Sequence, residues 1–525
     1  MPRILALDGV SDEGIKILRD AGFDVDIKPA QKPAELAAII GEYDGLIVRS
    51  ATKVTAEAIE KAGKLKVIGR AGAGTDNVDK EASTKRGIIV MNVPGGNTIS
   101  TCEHMFALLF SLCRNVPAAH QSMMEGRWDR KKFNGTELAG KTLGIVGAGR
   151  IGGAVAKRAQ AFEMKVLVFD PILTKLKAEA LGVELVSIDE IIERSDVITI
   201  HAPKSDKTNN MIRAEHIARM KPNCRIINCA RGGIVNEQDL ANALREKKIA
   251  GAALDVYTSE PLENNPFLGL DNIVTTPHLA ASTDEAQLTV SVDIAHQIVD
   301  YLTTGAVVNA VNVPSMDADT AKQLQPTLQL AERLGQFVSQ YMTGRPTALQ
   351  IAYDGELVVT DTYPITAAIL TGFLAPLVET VNAVSAPHLL KEYGIEFSET
   401  RSAAHPNYAF QIRVKAVTDK ESHEIAGTLF NNREPRICGI DGTRVDVELV
   451  SGMIVVVNED KPGALGQIAL TIGEAGVNIA NLALGRQASG SHATTVINVD
   501  GTVDPAVLDK LRKLPHVVEA RLVQV

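Results

Sequence analysis

Apolar positions along this chain follow two rhythms. Short uninterrupted runs, the length of buried strands, alternate with longer stretches whose apolar residues recur at helical spacing. Over the first 98 residues the runs are 4–7, 46–48, 66–68 and 88–90, with amphipathic segments such as 55–62 between them. That alternation predicts an α/β unit with a parallel sheet. A helix is expected from Thr98, capped by Thr98 or Ser100, with Glu103 near its first turn and an apolar stretch up to Cys113. It leads into a second α/β unit with runs at 143–146, 165–169, 197–200, 225–228, 251–254 and 273–275. A helix over 283–304 is expected to return to the first unit. The first unit is then discontinuous, 1–98 with 283–313, and 99–282 form the second.

Near Val313-Pro314-Ser315 the pattern changes. Residues 314–451 predict a helix over about 321–342, strand-like runs such as 408–417, and no catalytic motif; Arg433, Arg436 and Arg444 read as solvated charges, with an anion site as the alternative. From Gly452 a compact unit, 452–525, reads strand 453–457, helix 464–475, strands 479–484 and 494–499, helix 505–513 and strand 517–523. That βαββαβ order is ferredoxin-like.

Composition narrows the function classes. A length of 525 residues suits three or four domains. The net charge of −9, without a local Lys/Arg cluster, argues against a nucleic-acid surface. The longest uncharged apolar run, 105–113, is too short to span a bilayer, and residues 4–7 read as a strand rather than a secretory segment. Five cysteines (Cys102, Cys113, Cys224, Cys229, Cys438) show no C-x-x-C spacing. This suits a reducing cytoplasm, with no disulfide framework and no metal site.

The chemistry gathers at strand ends. After the run 143–146 comes Gly147-Ala148-Gly149-Arg150-Ile151-Gly152, and apolar residues then fall at helical spacing from Ile151 to Phe162. A strand-to-helix turn is the context in which G-x-G-x-x-G binds a dinucleotide. Gly147 permits the turn, Gly149 lets a pyrophosphate approach, and Gly152 lets helix pack on strand. Asp170, ending the next strand, can accept the ribose hydroxyls, and no Arg follows directly, so NAD is expected over NADP. In the first unit the polar strand ends are Arg49-Ser50, Arg70 to Gly74 and Asn92 to Thr98. Two arginines at matching ends can form an anion pocket. In the second unit the ends are 228–233, 255–261 and 277–282. His278 stands out among eleven histidines as a proton-transfer group. Glu260 can pair with it, and Arg231 between small residues can grip a carboxylate.

These motifs, with Asn-Cys-Ala-Arg-Gly-Gly-Ile-Val at 228–235, Ser-Glu-Pro at 259–261 and Pro-His-Leu-Ala-Ala-Ser-Thr at 277–283, resemble the D-2-hydroxyacid dehydrogenase family. Within it, the whole length is similar to the long-form phosphoglycerate dehydrogenases. The resemblance implies a Rossmann-type NAD domain, a discontinuous flavodoxin-like substrate domain, an α+β intervening domain and a C-terminal ACT domain. It implies a catalytic trio of Arg231, Glu260 and His278. For the cofactor it implies Ala73, Gly147, Gly149, Arg150, Ile151, Gly152, Asp170, Ala202, Cys229, Ala230, Arg231, Asp255, His278 and Ala281. For a small phosphorylated hydroxy acid, 3-phosphoglycerate, it implies Arg49, Ser50, Arg70, Gly72, Gly74, Asn97, Arg231 and His278. Position 73 is Ala where some members carry Thr, so only a backbone contact is expected there. Asn458, Asp460 and Asn478 match positions that contact an L-serine effector between paired ACT units, although such a unit also serves as an assembly surface alone. A homo-oligomer, a tetramer, is expected, with 128–132 reaching a neighbouring subunit. Two other readings stay open: a dehydrogenase of an unphosphorylated hydroxy acid, and a non-enzymatic NAD sensor like the corepressors that share the fold.

Overall fold

The computed structural model describes residues 1–359, 361–378, 380–403, 407–487 and 492–525. Among these residues four sheets account for the strands.

The first sheet is parallel and contains Arg3–Ala6, Asp24–Ile27, Gly45–Val48, Val67–Arg70 and Ile89–Asn92. Numbered along the chain, its order is 2-1-3-4-5, a flavodoxin-like arrangement. Gly45–Val48 and Ile89–Asn92 are buried throughout, which is why they read as continuous apolar runs. Asp24–Ile27 alternates acid with apolar residue at the edge and escaped the sequence reading. Helix Asp284–Thr304 packs back onto this sheet, with Ile294 and Ile298 sharing a core with Ile4, Ile47 and Val67. Thr283 caps that helix by accepting from the Ala286 amide at 3.2 Å.

The second sheet is parallel and seven-stranded: Thr142–Val146, Lys165–Phe169, Glu184–Leu185, Val197–Ile200, Arg225–Asn228, Gly251–Leu254 and Ile273–Thr275. Its order is 3-2-1-4-5-6-7, so direction of winding reverses between Thr142–Val146 and Val197–Ile200. Ligands of such sheets enter at that switch point, beyond the strands' carboxyl ends. Helix Thr98–Arg114 joins the two sheets and packs on this one. Its boundary differs from expectation. Asn97 is the cap residue and makes no side-chain cap bond, Thr98 is already helical, and no acid lies in the first turn. The turn before it, closed by Gly96 N to Val93 O and Thr98 N to Gly95 O, starts the helix through backbone bonds instead.

The third sheet is mixed: Pro346–Gly355, Glu396–Ser402, Phe410–Thr418, Ser422–Phe430, Glu434–Ile440 and Thr443–Glu448 in the order 2-1-3-4-5-6. Helices Ala318–Tyr341 and Tyr363–Leu374 cross at Gly335 and Gly372, where a Cβ on either would overlap the other helix's backbone. Arg436 pairs with Asp446 at 3.1 Å and lies over the Phe430 ring, so it is not simply solvated. The fourth sheet, Met453–Glu459, Ile479–Arg486, His492–Val499 and Val517–Val523, has the ferredoxin-like order 2-3-1-4. Helices Ala464–Glu474 and Pro505–Arg512 cover one face of it. From its other face Met453, Val455, Val496 and Val523 enter the same core as Leu334, Phe337 and Ile412 of the preceding unit. A polar seam runs beside that core: Arg521 pairs with Glu421 at 3.1 Å and lies over the Tyr341 ring.

Candidate active site

The glycine turn closes the first strand of the second sheet. Gly147 has φ +93°, and a Cβ there would crowd the His201 carbonyl at 2.8 Å. A Cβ on Gly152 would overlap the Gly147 backbone, so helix Arg150–Ala161 reaches the strand only with glycine at this point. Gly149 faces open space, and no side chain caps the helix behind it. The free first-turn amides and the helix dipole therefore point into a cradle that suits a pyrophosphate. Asp170 accepts from the Ala148 amide at 2.8 Å and from the Ile172 and Leu173 amides at 2.9 and 3.1 Å. It fixes both turns beside the cradle. Arg150 is exposed at the cradle, and Ala202 lies half-buried on the neighbouring strand's end.

Three further strand ends converge on the cleft. Asn228 accepts from the Ala230 amide at 3.0 Å and donates to the Arg231 carbonyl at 2.9 Å, shaping the turn that presents Arg231. Cys229 is buried beneath it and burial pushes its thiol up, so it serves as packing. The Arg231 guanidinium crosses to the first unit: Nε donates to Asp76 at 2.8 Å, and a Cβ on Gly74 would overlap Nη2. Arg70 lies in the same manner over Gly72, whose φ is +143°. The Arg70 Nε is buried and has no partner among the described residues. Burial, then the nearby charges of Arg231 and Arg49, push Arg70 down to about 10. Three cations thus crowd one place, and of the three only Arg231 has an ion-pair partner among the described residues, Asp76. Arg49 reaches Gln287 at 3.5 Å, while its amide donates to Asp8. Ser50 is exposed at that strand's end, Ala73 and Asn97 are half-buried, and the Asn97 Oδ1 has no partner among the described residues.

His278 stands at φ +55° with Nδ1 2.7 Å from Glu260 Oε2. The other Glu260 oxygen accepts from the Tyr257 amide at 3.0 Å. Nδ1 is therefore the donor, and Nε2 is left for a ligand. The bond to Glu260 raises the imidazole's pKa above its ordinary 6.5, with burial opposing. Burial would raise Glu260, yet the bonds from His278 and the Tyr257 amide hold it below its ordinary value.

Asp255 is fully buried and takes the Leu279 and Ala280 amides at 2.8 and 2.9 Å and the Thr276 hydroxyl at 2.6 Å. It fixes the loop on which His278 stands, with Ala281 half-buried just beyond. His104, from helix Thr98–Arg114, lies 3.2 Å from both Asp255 and Thr276. His104, Thr276 and Asp76 were not singled out in the sequence. Their partners lie 151, 21 and 155 residues away, and no spacing rule connects them.

Asn458, Asp460 and Asn478 do not meet within one chain. Asn458 is opposite Ala493, whereas Asn478 donates to Asp500 at 2.6 Å, beyond the Ile479–Val499 pair. Six residues of strand separate the two ends, about 20 Å. Asp460, at the Asn458 end, pairs with Arg486 at 2.7 Å.

With this geometry in hand, comparisons with known proteins are direct. Residues 106–280 match the NAD binding domain of D-isomer specific 2-hydroxyacid dehydrogenases. Residues 323–441 match the D-3-phosphoglycerate dehydrogenase intervening domain, and 452–516 match the ACT domain. The D-3-phosphoglycerate dehydrogenase of Methanocaldococcus jannaschii is 42% identical over the full length of both chains. The chain belongs to the D-3-phosphoglycerate dehydrogenase family. Another member, from Synechocystis, is 40% identical across all of this chain and 95% of its own. Among solved structures, the NAD-dependent formate dehydrogenase of Staphylococcus aureus in complex with NAD is 31% identical, with a TM-score of 0.54. It covers 60% of this chain and 100% of its own.

Proposed function

We propose that this chain oxidises 3-phospho-D-glycerate to 3-phosphooxypyruvate with NAD, the first step of a phosphorylated route to L-serine. One observation carries the reading at the level of residues: Arg49, Arg70 and Arg231 converge beside the His278–Glu260 pair. A substrate with an anion at each end meets that demand, and a proton acceptor stands beside it. NAD, when bound with its pyrophosphate at the Gly147–Gly152 turn, supplies the hydride acceptor. Arg231 anchors the C1 carboxylate with two parallel bonds. Arg70, with Arg49 beside it, neutralises the phosphate. His278 Nε2 takes the C2 hydroxyl proton as hydride leaves C2, and Glu260 stabilises the imidazolium that forms. Proton and hydride together account for the two electrons lost by the alcohol. Asp170 favours NAD because a 2′-phosphate would be repelled there.

The cytoplasm suits its five free thiols, all buried. We read L-serine as an effector that needs two copies of the C-terminal unit, since Asn458 and Asp460 stand at one end of the sheet and Asn478 at the other. That requirement supports a homo-oligomer, which we take to be a tetramer. The test is NAD reduction followed with 3-phosphoglycerate and with glycerate, each with and without L-serine. Rapid turnover of the phosphorylated acid alone is expected. Equal rates on glycerate would transfer the reading to an unphosphorylated hydroxy acid, and no reduction of NAD at all would favour a sensor.

A further inference from the structure

Far from the glycine turn in sequence, the intervening domain holds a cavity of about 640 Å³. Small-molecule sites have volumes of this order. Its walls are helices Tyr363–Leu374 and Ala386–Glu392 and the edge strand Glu396–Ser402. The first helix is immobilised by its glycine crossing with Ala318–Tyr341.

The two ends of the cavity differ in chemistry. Ala367, Leu370, Leu390, Ile395 and Phe397 make one end apolar. At the other, Glu399 accepts from the Thr362 and Thr366 hydroxyls, each at 2.9 Å, and from Arg401 Nε at 2.9 Å. The Tyr353 hydroxyl, 2.7 Å from Thr366, ties this network to the sheet. Burial would raise the Glu399 carboxyl, but Arg401 and the two threonines outweigh it and keep it ionised. Partial desolvation of such a pair brings a folding domain little net stability. An ion pair at the end of an apolar cavity is therefore better explained by what it meets there. It retains capacity to bind. Arg401 Nη1 has no partner among the described residues, and Glu399 Oε2 accepts one bond of the several a carboxylate can take.

That pattern selects a ligand class. The lining carries three carboxylates (Asp361, Glu396, Glu399) and two cations (Lys391, Arg401). A polyanion would face the acids, a simple cation would face Arg401, and a wholly apolar molecule would bury both charges without partners. We propose that this cavity binds a free α-amino acid with a large apolar side chain: carboxylate on Arg401, ammonium on Glu399, side chain along Leu370, Leu390 and Phe397. The site is separate from the dehydrogenase cleft and from the ACT positions, and it does not depend on the substrate reading. It also touches the catalytic half. Helix Ala386–Glu392 contacts helix Lys80–Lys85, Asn382 just before it donates to the Gly87 carbonyl at 2.8 Å, and Val384 enters the first unit's core. Gly87 leads into Ile89–Asn92, a strand that opens on the cleft.

The experiment is calorimetric titration of the full chain with L-phenylalanine as probe. One site per chain is expected, with Kd about 1 mM or tighter, given what a ligand of this size can gain. The probes 3-phenylpropionate and phenethylamine each lack one charge and are expected to bind at least about tenfold more weakly, the loss of one charge-assisted bond. Arg401→Met and Glu399→Gln should weaken L-phenylalanine similarly. Phe397→Ala, at a half-exposed rim position, should weaken it while leaving the fold unstressed, as a melting curve would verify. Three results would overturn the proposal: no saturable heat with L-phenylalanine, undiminished binding in both charge variants with native melting, or loss of binding in Asn458→Ala alone, which would assign it to the ACT domain.

Discussion

Two polar clusters in this molecule are built in opposite ways. In the dehydrogenase half the charged groups stand on loops beyond the carboxyl ends of parallel strands, and their partners come from another unit, as Arg231 meets Asp76. In the C-terminal half, Glu421, His423, Asp441 and Arg521 are bound to one another at the seam between two sheets. The first cluster has unmet capacity: a buried Arg70 Nε without a partner and a His278 Nε2 facing the cleft. The second mainly fastens one domain to the next. Both clusters keep buried nitrogens without a hydrogen-bond partner among the described residues, His423 Nε2 and Arg521 Nη1 in the second; what sets the first apart is that its groups stand at strand ends, where ligands of parallel sheets bind.

Substitutions can break that contrast. His278→Ala is expected to lower kcat by about 10²–10⁴-fold, the usual worth of a positioned proton acceptor. Near-normal NAD affinity by fluorescence titration should accompany the loss. Arg70→Met should follow, reducing kcat/KM for 3-phosphoglycerate by about 10–150-fold through the loss of a charge-assisted contact. A loss of the same size with glycerate would remove Arg70 from the phosphate. Glu260→Gln should have a smaller effect on rate and a diagnostic effect on pH. His278 is raised above 6.5 chiefly by Glu260, while burial and Arg231 pull it down. Oxidation needs the neutral imidazole, so the acid limb of the kcat/KM profile should lie above 6.5 in the parent chain and shift to lower pH in the variant. An unmoved limb would separate that limb from the pair. Arg521→Met is the counter-test. It should leave kcat within about twofold, because positions distant from the site rarely couple to chemistry, yet lower the melting temperature by about 4 °C or more through loss of the pair with Glu421 and of the contact over the Tyr341 ring. A large fall in kcat with unchanged melting would erase the distinction between the two clusters.

The same contrast explains what could be read in the amino-acid order. Gly147 to Gly152, Arg231 and Glu260 follow runs of apolar residues that are buried almost throughout, and His278 follows a short apolar run that is half-buried, so strand and strand end are visible together. Their partners were invisible. Asp76 and His104 reach Arg231 and Asp255 only after both sheets have formed. The intervening domain was harder. Phe410–Thr418 alternates buried and half-buried positions and could be seen, whereas Glu396–Ser402 is exposed along nearly its whole length and has no rhythm to detect. The cavity it borders depends on helices from two other stretches of chain, so no motif announces it.

One consequence follows from the core that Met453, Val455, Val496 and Val523 share with Leu334 and Phe337. The ACT module has no private interior on that side, so it is a fused storey of the building rather than a hanging appendage. Cutting the chain after residue 451 should leave the floor below greasy and uncovered, with a product that precipitates even though every catalytic side chain is still present.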